Sequence, residues 1–170
     1  MKTHKQGFSL IELIITLSVS AILLAIGVPS LTDFYTNYRA DSSIRIIQQT
    51  LQLARNQAIS YNKKVTVCAI TDEKCDSNWQ VGLTVFIDTN NNSQLDNNDK
   101  KLYTTNAFHS KDIVQYNRTT IRFQPDGLAS GTNGTLKYCP LSVTNPYSRA
   151  IIVNQAGRVR FSTENNIKCS

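Results

Sequence analysis

A chain of 170 residues and 19.0 kDa, 41% hydrophobic and 18% charged, has room for one ordinary domain and not for a two-domain enzyme. Lys and Arg number 18 against 12 acids, a net charge of +6, and His4 and His109 are the two histidines, which excludes most enzyme chemistry. The charge is uneven. Residues 68–112 hold four lysines and seven acids, whereas residues 113–170 hold seven basic residues against Asp126 and Glu164. A basic C-terminal third points to a polyanion, an anionic lipid or an acidic partner without choosing among them.

Phe8 to Val28 is an apolar run broken only by Glu12 and a few Ser and Thr. At ~1.5 Å per residue it reaches about 30 Å as a helix, enough to cross a bilayer core. It exceeds the roughly 7–15 residues of a secretory signal core, and Ala21, Ala25 and Gly27 form no clean cleavage site. Glu12 is an ionisable group inside this run, expensive in lipid, and so marks a function that needs a partner.

The junction KQGFSLIEL sets a short basic leader before Gly7, then Phe8, with Glu12 fifth after the glycine. It closely resembles the class III signal of type IV pilins and type II secretion pseudopilins. The resemblance implies cleavage after Gly7 by a prepilin peptidase, N-methylation of Phe8, and a meeting of Glu12 with the new N-terminal amine of a neighbouring subunit during assembly. It further implies a single-pass inner-membrane precursor with a periplasmic head, which later joins other pilins in a surface pilus. The expected segments are a leader at 1–7, a hydrophobic helix at 8–28, an amphipathic half at 29–62 and a β-rich head at 63–170. Pro29 matches a family proline that kinks or melts the helix, since proline removes an i→i−4 bond and clashes with the preceding turn.

Beyond Pro29, Ile44, Ile47, Leu51, Ala54, Ala58 and Tyr61 follow helical spacing, with Arg45, Gln48, Gln49, Gln52 and Arg55 elsewhere. This half is expected to pack against the head and stop near Asn62. From Val65 the pattern turns to strands: VTVCAI, LTVFID, KLYTT, TIRFQ, LKYC, AIIVN and RVRFS, separated by turn signals such as Asp126-Gly127 and Ala156-Gly157. The expected fold class is α+β, a long N-terminal helix packed on an antiparallel β head, which is the type IV pilin fold that the resemblance implies.

Cys68, Cys75, Cys139 and Cys169 have spacings that fit no zinc pattern, and no histidine clusters with them, so no metal and no cofactor is expected. Export would oxidise them, and four cysteines allow three connectivities. The favoured one joins Cys68 to Cys75 around a local loop and Cys139 to Cys169, tying the tail to a strand. The segment Asp88–Asp99 places oxygen side chains at positions 1, 3, 5, 9 and 12 of a calcium-type loop. Ser93 stands where that loop needs glycine and Asp99 where it needs a bidentate Glu, so a solvated Asn/Asp hairpin is the preferred reading.

The runs ARNQAISYNKKVTVC, NWQVGLTVFIDTNNNSQLDNND, IRFQPDGLASG and KYC resemble the GspH/FimT family of minor pilins and pseudopilins over essentially the whole chain. Within it, AGRVR (156–160) looks like the GRxR signature of members that bind DNA during natural transformation, which implies DNA as a partner at Gly157, Arg158 and Arg160. Physically, Gly157 supplies a turn, and Arg158 and Arg160 share one strand face about 6.6 Å apart, with Val159 and Phe161 expected on the core face. Each guanidinium can address one phosphate, and Lys168, Arg149 and Lys137 are the expected supporting charges. No aromatic ladder interleaves with these arginines, so base stacking and sequence readout are not expected. The alternative is a structural minor pilin or secretion pseudopilin that primes assembly without DNA. An exported enzyme lacks any acid/base or nucleophile constellation.

Overall fold

The computed structural model describes residues 9–129 and 131–170. Among the described residues a single α-helix, α1, runs Leu10–Tyr61. Ser9 starts it with a reciprocal cap: its N–H donates to Glu12 Oε2 (2.9 Å) while its Oγ accepts from the Glu12 N–H (3.3 Å). Two of the N–H groups at the helix start are thereby satisfied. At the other end Asn62 takes a left-handed φ of 50°, its N–H bonding Ile59 O and that of Lys63 bonding Ala58 O. This is the Schellman closure, with asparagine in the place glycine usually holds. Helix continues through Pro29, so the expected melting does not occur. A proline costs one rung, about 3 kcal/mol, and long helices on both sides keep the ladder cooperative.

The chain divides into two compact units, Met1–Asn37 and Tyr38–Ser170. In the first, Leu10 through Val28 present large apolar side chains that are at least half exposed. The mean hydropathy of an 18-residue window there is 2.4, enough by length and composition to cross a membrane. In the second unit the later helix half and the nine strands found among the described residues share one core. Ala40, Ile44, Ile47, Leu51, Ala54 and Ala58 are fully buried along one helical stripe. Tyr61 departs from the expectation: it is exposed, because its neighbour on the sheet is the charged Lys100, whose ammonium its ring takes at 4.9 Å, rather than an apolar side chain.

The strands are β1 (Val65–Thr71), β2 (Lys74–Asp76), β3 (Thr84–Ile87), β4 (Lys100–Thr104), β5 (Ile113–Gln115), β6 (Ile121–Phe123), β7 (Gly134–Cys139), β8 (Arg149–Val153) and β9 (Val159–Phe161). They form two antiparallel sheets, one ordered β2-β1-β3-β4 with β6 also on β1, the other β5-β7-β8-β9. The seven expected runs all become strands, and β2 and β5 add to them. Lys74–Asp76 carries no β-forming signal of its own, yet it pairs with β1 through a turn at Asp72 and Glu73, both at positive φ. Hairpin turns of that hand usually announce themselves with Asn-Gly, and here they do not. Cys68–Cys75 spans this hairpin with a Cα separation of 5.4 Å, and Cys139–Cys169 joins β7 to the tail at 6.3 Å.

Candidate nucleic-acid interface

β9 ends the four-stranded sheet, and the connection from β8 is a tight turn closed by asparagine. Asn154 receives the Gly157 N–H on its carbonyl (2.9 Å) and the Arg158 N–H on Oδ1 (2.8 Å). Gly157 sits at φ +73°, and a Cβ there would fall 1.8 Å from the Gly127 carbonyl oxygen. The glycine is therefore required twice, for its backbone angle and for the approach of the 124–128 turn. Arg55 of α1 fixes both turns, with Nε donating to Gly127 O (3.1 Å) and Nη2 to Ala156 O (3.3 Å). Nothing in the sequence singled out Arg55, since its partners lie 72 and 101 residues further on.

Arg158 and Arg160 are both exposed, and strand alternation places them on one side. Arg158 also edges a hollow of about 310 Å³ with Gln52, Arg55, Asn56, Gly157 and Val159. Val159 is buried as expected, but Phe161 is not, being 37% exposed. The reason is position: β9 closes the sheet, and the Phe161 ring meets the Arg45 guanidinium (5.8 Å) instead of core. Arg45 in turn is paired with Asp41 at 2.7 Å, and that bond holds its pKa above the ordinary arginine value.

The supporting charges are distributed differently from the expectation. Lys137 lies opposite Ala150 and Arg160 opposite Ile152, so these two share a sheet face, two strands across and two residues along, or about 12 Å apart. The Lys137 ammonium donates to the Lys168 carbonyl (2.7 Å), which brings Lys168 to the same face. Arg149 alternates with Ile151 and Val153 and so belongs to the helix side of the sheet, where it lines a cavity with Asp41 and Arg45. It is not part of the Arg158–Arg160 face. Gly7 and Phe8 lie outside the described residues, and Glu12 caps α1.

The Asp88–Asp99 loop is closed by its own hydrogen bonds. Asp88 accepts the Asn92 and Ser93 N–H groups, and Asp99 those of Thr89 and Asp96. Asp96 accepts the Asn98 N–H and the Asn90 amide, which hold its carboxyl below the usual range. Among the described residues no group of three or more His, Cys, Asp or Glu could hold a metal.

A long N-terminal helix whose second half packs on antiparallel sheets defines the class: this is a type IV pilin fold. Two crystal forms of the minor pilin FimU of Pseudomonas aeruginosa PAO1 share it, each 20% identical to this chain. The first has a TM-score of 0.64, covering 81% of this chain and 99% of that one; the second has 0.60, covering 76% and 99%. Residues 2–28 match the prokaryotic N-terminal methylation motif. Residues 44–157 match the family described as type II transport protein GspH, and the chain belongs to that family. No curated protein sequence matches it.

Proposed function

We propose that this protein is a FimT-like minor pilin, binding DNA through the Gly157–Arg160 hairpin and supporting uptake in natural transformation. The carrying observation is a pair of exposed arginines, Arg158 just before the terminal strand and Arg160 within it, presented by a turn that Asn154, Gly127 and Arg55 hold. Guanidiniums so placed can each take a phosphate with little loss of conformational freedom. Lys137 and Lys168 are outer contacts on the same sheet face. Two to four phosphate contacts give a log K against log[salt] slope of about −2 to −3.5, at ~0.9 per contact on duplex. Binding is roughly micromolar and nearly independent of sequence, because no base-reading set faces the groove. The precursor is cleaved after Gly7, methylated on Phe8, and held in the inner membrane by its apolar helix until it joins other pilins.

The test is a gel shift with purified full-length protein in detergent. Arg158→Gln/Arg160→Gln, shown folded by circular dichroism, should lose most of the affinity and lower transformation. Undiminished binding at equal salt would remove the hairpin as the site. A wild-type protein that binds no DNA would leave the second reading, a structural pilin or pseudopilin that primes assembly, which the GspH match favours.

A further inference from the structure

The cavity behind β9 holds about 470 Å³, within the ~300–1,000 Å³ common to small-ligand sites. Its lining combines the exposed Phe161 ring, the guanidiniums of Arg45 and Arg149, and the carboxylates of Asp41 and Glu164. Planar stacking surfaces at this density suit a flat aromatic guest. The two acids disfavour a phosphate there but not a neutral base. Phe161 follows Arg160 directly, on the opposite face of a terminal strand, so one ligand crossing that edge reaches both. Asn154 N–H bonds Arg158 O and Ser162 N–H bonds Ala150 O. By antiparallel alternation the Val159 and Phe161 N–H groups therefore point away from β8, along the edge.

Resting on the DNA reading above, we infer that the preferred ligand is single-stranded DNA, with an unpaired base stacked in the Phe161–Arg45 cavity and its flanking phosphates on Arg158 and Arg160. A duplex cannot offer such a base without unstacking it. Base–aromatic stacking tolerates any sequence, so a single-strand preference does not require sequence readout.

The experiment compares three probes on full-length protein in detergent at one salt concentration: a thymidine oligonucleotide, an abasic oligonucleotide of equal length, and a duplex of equal length. The thymidine strand should bind about tenfold more tightly than the abasic strand, and more tightly than the duplex. Phe161→Ala should bring the thymidine strand down to the abasic level while leaving duplex binding unchanged, and Phe161→Trp should retain the preference. Equal affinity for thymidine and abasic strands, or an equal loss on all three probes in Phe161→Ala, overturns the inference. If the duplex still binds through Arg158 and Arg160 in that case, the DNA reading survives alone. If none of the probes binds, both fall.

Discussion

Gly157 carries a constraint that charge alone would not reveal. Its left-handed φ and the Gly127 carbonyl, 1.8 Å from where a Cβ would stand, both act on the turn that presents Arg158 and Arg160. Gly157→Ala removes no charge, yet it must push the 124–128 turn away and break the Arg55 clamp. The left-handed strain alone costs about 1–3 kcal/mol. DNA affinity is expected to fall with the guanidiniums intact, and amide exchange at residues 154–158 is expected to quicken, measurable by NMR. Arg55→Gln, which removes the clamp without the clash, should loosen the same turn to a smaller degree. Sequence alone marked the glycine as a turn residue. It could not mark the reason, because the partner oxygen stands 30 positions earlier in the chain.

At the scale of elements, the helix and the second sheet are locked by one buried carboxylate. Asp112, 2% exposed, takes both Arg39 nitrogens (Nε 2.9 Å, Nη2 2.8 Å), the Leu141 N–H (3.1 Å) and the Tyr138 hydroxyl, which donates to it. Arg39→Met would strand that carboxylate in the core, an expected loss of about 3–5 kcal/mol readable from urea unfolding. Burial first, and Asp112 second, push the Tyr138 hydroxyl up to about 12, and burial raises Tyr116 likewise to about 12. Both groups keep their protons in the fold beyond pH 10, where the unfolded chain gives them up. Their stabilising contribution is thus complete below pH 10 and is lost as pH rises from about 10 to 12. Urea midpoints should fall across that window, and less steeply in Tyr138→Phe. None of this lock was legible beforehand. Asp112 follows Lys111 in what reads as a polar loop, and Arg39 looks like any solvated helix charge. Helical and strand periodicity, in contrast, located α1 and seven strands, because those segments carry runs of apolar, β-branched or aromatic residues; β2 is Lys-Cys-Asp with no such residue but the cysteine, and in β5 only Ile113 and Val114 stand between polar neighbours.

For the whole molecule, covalent ties and assembly take over from packing. Cys139–Cys169 closes a separation of 30 residues and pins the tail that follows β9, so its removal should cost about 3–4 kcal/mol. Cys139→Ser/Cys169→Ser should lower the unfolding midpoint accordingly, whereas an unchanged midpoint would show the tail held by its other bonds, such as Cys169 N–H to Val143 O.

Glu12 separates two roles that one side chain can combine. In the structure it caps α1 through Ser9, a local task that a glutamine performs as well as a glutamate. In assembly it is expected to meet the methylated Phe8 amine of a neighbouring subunit, a task that requires the charge, since in lipid an unpaired carboxylate has no favourable state. Glu12→Gln retains the cap and removes the charge; Glu12→Ala removes both. If the charge governs assembly, both variants should be cleaved after Gly7, as mass spectrometry of the membrane fraction would record, and both should be missing from sheared pili. If capping is what matters, Glu12→Gln should enter pili at the wild-type level and only Glu12→Ala should fail.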